Sequence, residues 1–314
     1  MDYRTQLQSI LKASGWSQEQ LARNLAVSFV TLNSWVNKRS IPRVKAQRAI
    51  ECLYFEIVGV DTVADSDLSN AKQATAAHVM TAGRLISDTN AREKLALHLT
   101  YHTNTIEGST MTLSDVEGVI FDHKVLSNRT AVEQAEARNH QAALYWLLDE
   151  LARKDKQFAV DEALILNIHL RLMNGIISDA GQYRTHAVRI MGAHVPLANW
   201  AKIPDLVAQL THELNTPTID IIALLAETHA RFEQIHPFSD GNGRTGRLLM
   251  LAQALQAGLM PPLVLKERKF AYYKYLELAQ TKHEYAALQL FIAESIIFTS
   301  KLLGNLSSSL NSKS

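Results

Sequence analysis

The chain has 314 residues, 47% of them hydrophobic, which is enough for one large domain with its own core and a smaller one. Its formal net charge is +1, so no overall attraction to nucleic acid or to a membrane is expected. One cysteine excludes an intrachain disulfide and fits a reducing compartment. No apolar run approaches the ~18 residues of a membrane span, and no secretory signal pattern is present. We therefore expect a soluble cytoplasmic protein.

The first 54 residues carry the positive charge. Eight Lys or Arg against three acids give +5 there and leave −4 for the rest of the chain. Apolar spacing and a capping box formed by Ser17 and Gln20 predict short helices, and residues 1–56 form a small domain. The predicted helices are Arg4–Ser14, Ser17–Leu25, Ser28–Asn37 and Pro42–Tyr54.

Within this segment, Ser17-Gln-Glu-Gln-Leu-Ala22 and Ser34-Trp-Val-Asn37 resemble parts of the helix-turn-helix of phage-repressor-type domains. The resemblance implies that residues 17–39 bind DNA, with the third helix in the major groove. No Arg or Lys precedes Lys38 in that helix, so a helical module for protein contact or oligomerisation is the alternative. The implied DNA-binding residues are Ser28, Thr31, Asn33, Ser34, Lys38 and Arg39.

A polar, acidic stretch follows, and we interpret 57–72 as a linker, 73–303 as the main domain and 304–314 as a disordered tail. Apolar residues at intervals of three and four dominate the main domain, so the fold class is all-α. One segment departs from that period. Ala187–Pro196 alternates around Gly192 and predicts a small β-hairpin that leans on the helices.

The segment from His236 to Arg247 reads His-Pro-Phe-Ser-Asp-Gly-Asn-Gly-Arg-Thr-Gly-Arg and lies between two predicted helices. Pro237 ends the first helix, and the glycines open the second with exposed backbone N–H groups, which attract anions. The other side chains supply a base near neutral pH, a hard oxygen ligand for Mg²⁺ and two guanidinium groups for phosphate. Nucleotidyl or phosphoryl transfer requires these parts.

Other interpretations of this loop fit less well. Its three glycines match the spacing of the dinucleotide fingerprint, but that motif must follow a strand, and here a helix precedes it. The Walker A pattern needs a Lys-Ser or Lys-Thr pair that is absent. His236 and Asp240 alone would be too few ligands for a metal held by protein side chains only. A structural helix–helix turn would explain the glycines but not the histidine with two arginines.

This loop resembles the full signature of the Fic family, HPFx(D/E)GNGRxxR, and the resemblance extends from about residue 75 to about 300. It implies a Fic-type helical bundle with one β-hairpin flap, preceded here by the helix-turn-helix domain. The implied activity is transfer of AMP from ATP to hydroxyl groups of proteins, with Mg²⁺ as the cofactor. Homodimers, common in the family, are a further expectation.

The resemblance also assigns roles within the loop. His236 would deprotonate the target hydroxyl, Asp240 would hold Mg²⁺, and Phe238 would anchor the loop. The flap, Val188–Pro196, would bind a segment of the target protein as an added strand. Tyr273 would lie near the adenine, with a core position as its alternative. The implied nucleotide-binding residues are Gly241, Asn242, Gly243, Arg244, Thr245, Gly246, Arg247 and Tyr273.

Thr103-Asn-Thr-Ile-Glu107-Gly108 resembles the inhibitory motif (S/T)xxxE(G/N) of the same family. In that motif the glutamate contacts the second arginine of the loop, here Arg247. A carboxylate on that guanidinium would remove the γ-phosphate clamp and leave ATP badly placed for in-line attack. A helix cap is the local alternative, but a capping box has its acid three residues on, not four.

The sequence thus predicts an autoinhibited protein adenylyltransferase that also modifies itself. A regulator that binds DNA and only senses nucleotide is the alternative of a different class, although a sensor has no need of His236. Within the enzyme class, removal of AMP or transfer of phosphate, UMP or phosphocholine stay open.

Overall fold

The computed structural model of the chain describes residues 3–59, 63–189 and 195–304. Across these ranges no strand forms, and β-type pairing is limited to one bridge between Val79 and Leu259. The fold is therefore all-α, as predicted. The helices are α1 (Tyr3–Ser14), α2 (Gln18–Asn24), α3 (Phe29–Val36), α4 (Val44–Ile57), α5 (Asp65–Thr75), α6 (Ala82–Ser87), α7 (Thr89–Ile106), α8 (Leu113–Ile120), α9 (Ala131–Lys154), α10 (Glu162–Met173), α11 (Ile203–Leu214), α12 (Ile221–Ile235), α13 (Asn242–Gln256), α14 (Lys269–Lys282) and α15 (Ala286–Gly304).

One compact unit consists of Met1–Val63 with Glu267–Tyr275. Its four N-terminal helices, α1 to α4, match the predicted helices to within three residues at each end. The capping box is present, since Gln20 N donates to Ser17 Oγ and Ser17 N donates to Gln20 Oε1. The core of this unit includes Leu7, Ile10, Leu21, Leu32, Trp35 and Ile50.

The larger unit consists of Ala64–Lys266 with Leu276–Ser314. The long helix α9 packs against α6, α7, α8, α10 and α13. Helix α13 is buried along 13 of its 15 residues. Its apolar C-terminal part belongs to the core of the bundle. The polar residues of its first turns are buried as well, and buried charges need partners. Those partners form the candidate site.

Within the predicted linker, 57–72, the structure describes helix at both ends. Helix α4 continues to Ile57, residues 60–62 lie outside the described ranges, and Asp65 already begins α5. The acidic residues that suggested a solvated linker include Asp65 and Asp67 in the first turn of α5, where the helix dipole favours negative charge. Helix α5 packs against α15, so this segment belongs to the larger unit.

Two other predictions fall mostly on residues outside the described ranges. The centre of the predicted hairpin, 190–194, is one of them, and the described flanks 187–189 and 195–199 form no strand. The predicted tail is the other, because α15 ends at Gly304 and residues 305–314 are not described.

Helix α15 is long and apolar enough to cross a membrane by length and composition alone, in contrast to the prediction that no apolar run reaches that length. Half of its apolar window is buried inside the structure, and the helix packs against α5, α7 and α12. Core helices of globular units pass the same test, so this is weak evidence for a span.

Candidate active site

His236 lies where α12 ends, with left-handed backbone angles (φ 49°, ψ 61°) that turn the chain sharply. Its Nδ1 is 3.2 Å from the carbonyl oxygen of Glu233. Because a carbonyl can only accept, Nδ1 carries the ring proton and Nε2 carries the lone pair. Burial lowers the pKa of His236, while its bond to the Glu233 carbonyl opposes that shift. The ring is therefore mainly neutral at pH 7 and can accept a proton at Nε2.

Hydrogen bonds between its own residues stabilise the turn after His236. Phe238 N donates to Asn242 Oδ1 (2.9 Å), and Asn242 Nδ2 donates to the Phe238 carbonyl (2.8 Å). Gly241 adopts a positive φ of 77°, and a Cβ there would come within 2.7 Å of Met173 Sδ. The Asn242 side chain is thus engaged with the loop, so any contact of Asn242 with phosphate falls to its backbone N–H.

Glu107 places its carboxylate at the start of α13. Arg247 donates from Nη2 to Glu107 Oε1 and from Nε to Thr103 Oγ1, the latter at 2.6 Å. A Cβ added to Gly243 would collide with the same Glu107 oxygen. The N-cap of α13 is Gly241, which gives no side-chain cap, and such a helix N-terminus attracts anions. The predicted contact of Glu107 with Arg247 is present in the structure.

Arg244, the first loop arginine, is 2% exposed. Its Nη1 donates to Glu136 Oε1 on α9 at 2.7 Å, and its Nη2 lies 3.6 Å from Asp240 Oδ1. Asp240 has a 62% exposed side chain and accepts the Gly241 N–H at 2.6 Å. Its hard, solvent-facing oxygens fit a Mg²⁺ ion that is also bound by phosphate oxygens. Among the described residues no three His, Cys, Asp or Glu side chains form a metal cluster.

Two of the predicted nucleotide-binding residues, Thr245 and Gly246, make contacts within the protein that stabilise the fold. Thr245 Oγ1 donates to the Gly241 carbonyl at 2.9 Å and is fully buried. A Cβ on Gly246 would lie 2.8 Å from Glu233 Oε1 and 3.0 Å from a ring carbon of Phe232. Gly246 therefore allows α13 to pack closely on α12. Burial raises the pKa of Glu233 to about 7, with the Arg247 charge opposing that shift.

Arg184 holds the start of the loop through contacts that the sequence does not reveal. It is buried, and its Nε donates to the His236 carbonyl at 2.7 Å. Its Nη1 and Nη2 donate to the carbonyls of His186 and Ala198, both at 2.7 Å. Its backbone N–H donates to the Pro237 carbonyl at 2.9 Å. One guanidinium thus holds the start of the loop. Three further residues near the loop could not be identified from the sequence: His169, Glu136 and Glu233.

A cleft of about 740 Å³ lies beside Arg184. It is lined by Val188 and Val195, which flank undescribed residues, and by Pro196, Leu197 and Trp200. The segment predicted to dock a target protein borders this cleft.

Tyr273 belongs to the smaller unit, is 39% exposed, and has Lys269 Nζ 5.5 Å above its ring. Its predicted role near adenine stays a prediction.

The predicted DNA-binding residues surround α3 in the smaller unit. Lys38 and Arg39 are exposed. The shorter polar groups contact other polar side chains of the same unit, so base contacts would require exchange of those bonds. The pairs are Ser28 with Thr31 (2.8 Å), Ser34 with Ser40 (2.7 Å) and Asn33 with Gln18 (3.2 Å).

Comparison with known proteins identifies the fold. Residues 159–254 match the sequence profile of the Fic/DOC family. The protein adenylyltransferase Fic of Nematostella vectensis is 32% identical over 205 residues, 63% of this chain and 46% of that protein. The protein adenylyltransferase fic-1 of Caenorhabditis elegans is 31% identical over 217 residues, 64% of this chain and 42% of that protein. The chain thus spans less than half the length of these relatives.

Solved structures agree on the fold. Fic-1 (residues 134–508) from C. elegans superposes with a TM-score of 0.67 at 22% identity, covering 93% of this chain and 86% of that one. A Fic family protein from Desulfovibrio desulfuricans gives a TM-score of 0.63 at 24% identity, covering 79% and 76%. At these identities the likeness concerns the fold alone. Residues 159–254 thus match the Fic/DOC family, and the helices form a Fic-type bundle.

Proposed function

We propose that this chain transfers AMP from ATP to hydroxyl groups of proteins, including its own, and that Glu107 keeps the resting chain at low activity. The observation that carries the proposal is the state of His236. Its Nδ1 proton is engaged by the Glu233 carbonyl, so Nε2 can act as a base at the start of a loop that ends in an anion-binding helix N-terminus. The names of the relatives, protein adenylyltransferases, support the same reaction.

In the proposed reaction, the target hydroxyl oxygen attacks the α-phosphorus of ATP, and its proton passes to His236 Nε2. The bond from the α-phosphorus to the oxygen bridging it to the β-phosphorus breaks, and pyrophosphate leaves. Backbone N–H groups at the start of α13, with Arg244 and Arg247, would bind the phosphates. Asp240 would hold Mg²⁺, which neutralises phosphate charge when bound.

The proposed inhibition follows from the position of Glu107. Its carboxylate takes the Arg247 Nη2 hydrogen bond and lies against Gly243, at the helix N-terminus where phosphate would bind. A γ-phosphate would therefore meet a negative charge and lose its guanidinium partner. ATP could still enter, but without the contact that aligns it for in-line attack.

The test uses the wild type, Glu107→Gly, His236→Ala and the double variant, each incubated with Mg²⁺ and ATP labelled on the α-phosphate. We expect strong self-labelling of Glu107→Gly, weak labelling of the wild type and none in either His236→Ala protein. Intact mass should rise by one AMP. A rise by one phosphate would instead identify phosphoryl transfer, and equal weak labelling of Glu107→Gly and His236→Ala would overturn the proposal.

A second proposal concerns the smaller unit, which we infer binds DNA through α3. The +5 charge of residues 1–54 and the exposure of Lys38 and Arg39 support it. Retention on immobilised genomic fragments should fall with salt, and Lys38→Ala with Arg39→Ala should reduce the slope by about one per lost phosphate contact. Lys12→Ala, an exposed lysine on α1, is the matched control. Absence of salt-dependent retention would contradict the inference.

A further inference from the structure

His169 lies on α10 and makes three contacts around the catalytic loop. Its fully buried ring stacks on Phe238, with ring centroids 3.6 Å apart and planes 3° from parallel. Its Nε2 is 3.0 Å from the Asp240 carbonyl oxygen, and its Nδ1 is 2.9 Å from the backbone nitrogen of Gly181. The ring therefore joins the loop to the turn that leads into Arg184.

Two backbone groups determine which nitrogen of His169 carries the proton. The Gly181 N–H can only donate, so Nδ1 accepts; the Asp240 carbonyl can only accept, so Nε2–H donates. Both nitrogens are thus used by groups whose roles cannot reverse. The neutral ring with its proton on Nε2 satisfies both bonds at once, and the stacking on Phe238 holds the ring plane toward Asp240.

The Asp240 side chain is 62% exposed, and Arg244 Nη2 lies 3.6 Å from its Oδ1, beyond hydrogen-bond distance, so the direction of the carboxylate depends largely on its backbone. The contacts near this backbone are the His169 bond to its carbonyl and the Gly241 N–H bond to its own Oδ1. A shift of the Asp240 carbonyl would turn the peptide that carries the Gly241 N–H and move both bonds together. Groups that orient a metal-binding residue in this way commonly affect metal affinity.

We propose, resting on the function proposed above, that His169 is a positioning residue that fixes the Asp240 backbone so that the Asp240 carboxylate can hold the cation bound to ATP. This role depends on the hydrogen bond that His169 Nε2 donates to the Asp240 carbonyl, and not on the packing of the ring.

Two substitutions separate these roles. His169→Gln carries an amide NH₂ near the position of Nε2 and can keep the bond to Asp240. His169→Asn carries its amide near the position of Nδ1, so it can keep the Gly181 bond but cannot reach Asp240. Both remove the stacked ring, so packing is lost in each, and the variants differ in the backbone bond they can keep: the bond to Asp240 in His169→Gln and the bond from Gly181 in His169→Asn.

The experiment measures ATP binding by calorimetry in the Glu107→Gly background, with saturating Mg²⁺ and again with EDTA. Affinity gained from Mg²⁺ should fall about tenfold in His169→Asn and stay within about threefold in His169→Gln, with EDTA values alike. Asp240→Ala should remove the gain entirely. The melting temperature of each variant is measured alongside.

Equal losses in His169→Gln and His169→Asn would show that packing matters and would overturn the proposal. So would a loss in His169→Gln as large as that in Asp240→Ala, or no Mg²⁺ gain in the Glu107→Gly protein. Binding is measured without turnover. A protein that shows the expected binding pattern but transfers no AMP would therefore refute the proposed function and leave the role of His169 standing.

Discussion

Arg247 and Glu107 are 140 residues apart in the chain, yet the Arg247 guanidinium donates directly to the Glu107 carboxylate. Arg247 is 8% exposed, and Thr103 accepts its Nε–H at 2.6 Å. The arginine is therefore held by Thr103 in the last turn of α7 and by Glu107, the residue directly after that helix. A charged acceptor forms a bond roughly twice as strong as a neutral one, so the charge of Glu107 should matter as well as its position.

The first prediction concerns how much of the inhibition comes from the charge of Glu107. Glu107→Gln keeps the size of the side chain and an acceptor for Arg247 but removes the charge, so it should release the site only in part. Self-labelling with ATP should rise in the order wild type, Glu107→Gln, Glu107→Gly, measured as initial rates at one ATP concentration. If Glu107→Gln labels no faster than the wild type, the carboxylate charge plays no part in the inhibition.

The second prediction concerns Arg184. Lysine in its place cannot meet the carbonyls of His236, His186 and Ala198 together, and partly buried carbonyls would lose their donors. We expect Arg184→Lys to lower the free energy of unfolding by about 2–4 kcal/mol, measured by denaturant titration. The matched control is Arg189→Lys, an exposed arginine on the same segment, which should change it by less than about 0.5 kcal/mol. If Arg184→Lys and Arg189→Lys change the free energy of unfolding by similar amounts, the hydrogen bonds of Arg184 do not stabilise the fold as expected.

The contrast between Arg184 and the loop from His236 to Arg247 shows which features can be inferred from the sequence. The helices, the turn at Pro237 and the glycine-rich start of α13 follow from local chemistry and could be predicted from the sequence. Resemblance to a motif supplied the pairing of Glu107 with Arg247. The bonds of Arg184 depend on which distant carbonyls the packed bundle brings to it, and no local pattern contains that information.

Asn242 and Asp65 are two positions where local sequence patterns suggest one role and the packed structure shows another. The resemblance implies that Asn242 binds the nucleotide, whereas its side chain bonds to Phe238, four residues back, because the tight turn leaves those backbone groups without helical partners. Asp65 was assigned to a linker, since acidic, polar segments are usually solvated. Its helix is stabilised by packing on α15, which composition does not reveal.

The third prediction tests the buried pair of Arg244 and Glu136, whose side chains are 2% and 17% exposed. Glu136→Ala would leave the guanidinium buried without this partner, and we expect a loss of about 3–5 kcal/mol in the free energy of unfolding. Glu136→Gln keeps the hydrogen bond and should lose less. Glu150 on the same helix pairs with the exposed Arg153, so Glu150→Ala should cost at most about 1 kcal/mol. Equal losses at positions 136 and 150 would refute this assignment.

The last prediction concerns acid stability and His140. This histidine is fully buried on α9, with Nδ1 2.8 Å from Thr100 Oγ1. Burial, followed by the charges of Arg247 and Arg244, lowers its pKa to about 3. The folded chain therefore binds fewer protons at this site than the unfolded chain below pH 6.5, and the stability present above that pH is lost as pH falls toward 3. The loss from this residue should be about 2 kcal/mol between pH 6.5 and pH 5.

His140→Asn places an amide near the position of Nδ1 and does not titrate in this range. Denaturant titrations from pH 7.5 to pH 5, each referred to the same protein at pH 7.5, should give the variant a slope shallower by up to about 1.4 kcal/mol per pH unit. The variant is expected to be less stable at pH 7.5, because asparagine fills less of the buried space, so the slopes are compared and not the absolute values. Parallel curves would mean that His140 is protonated in the folded chain without cost, which its buried position on α9 near the charges of Arg247 and Arg244 argues against.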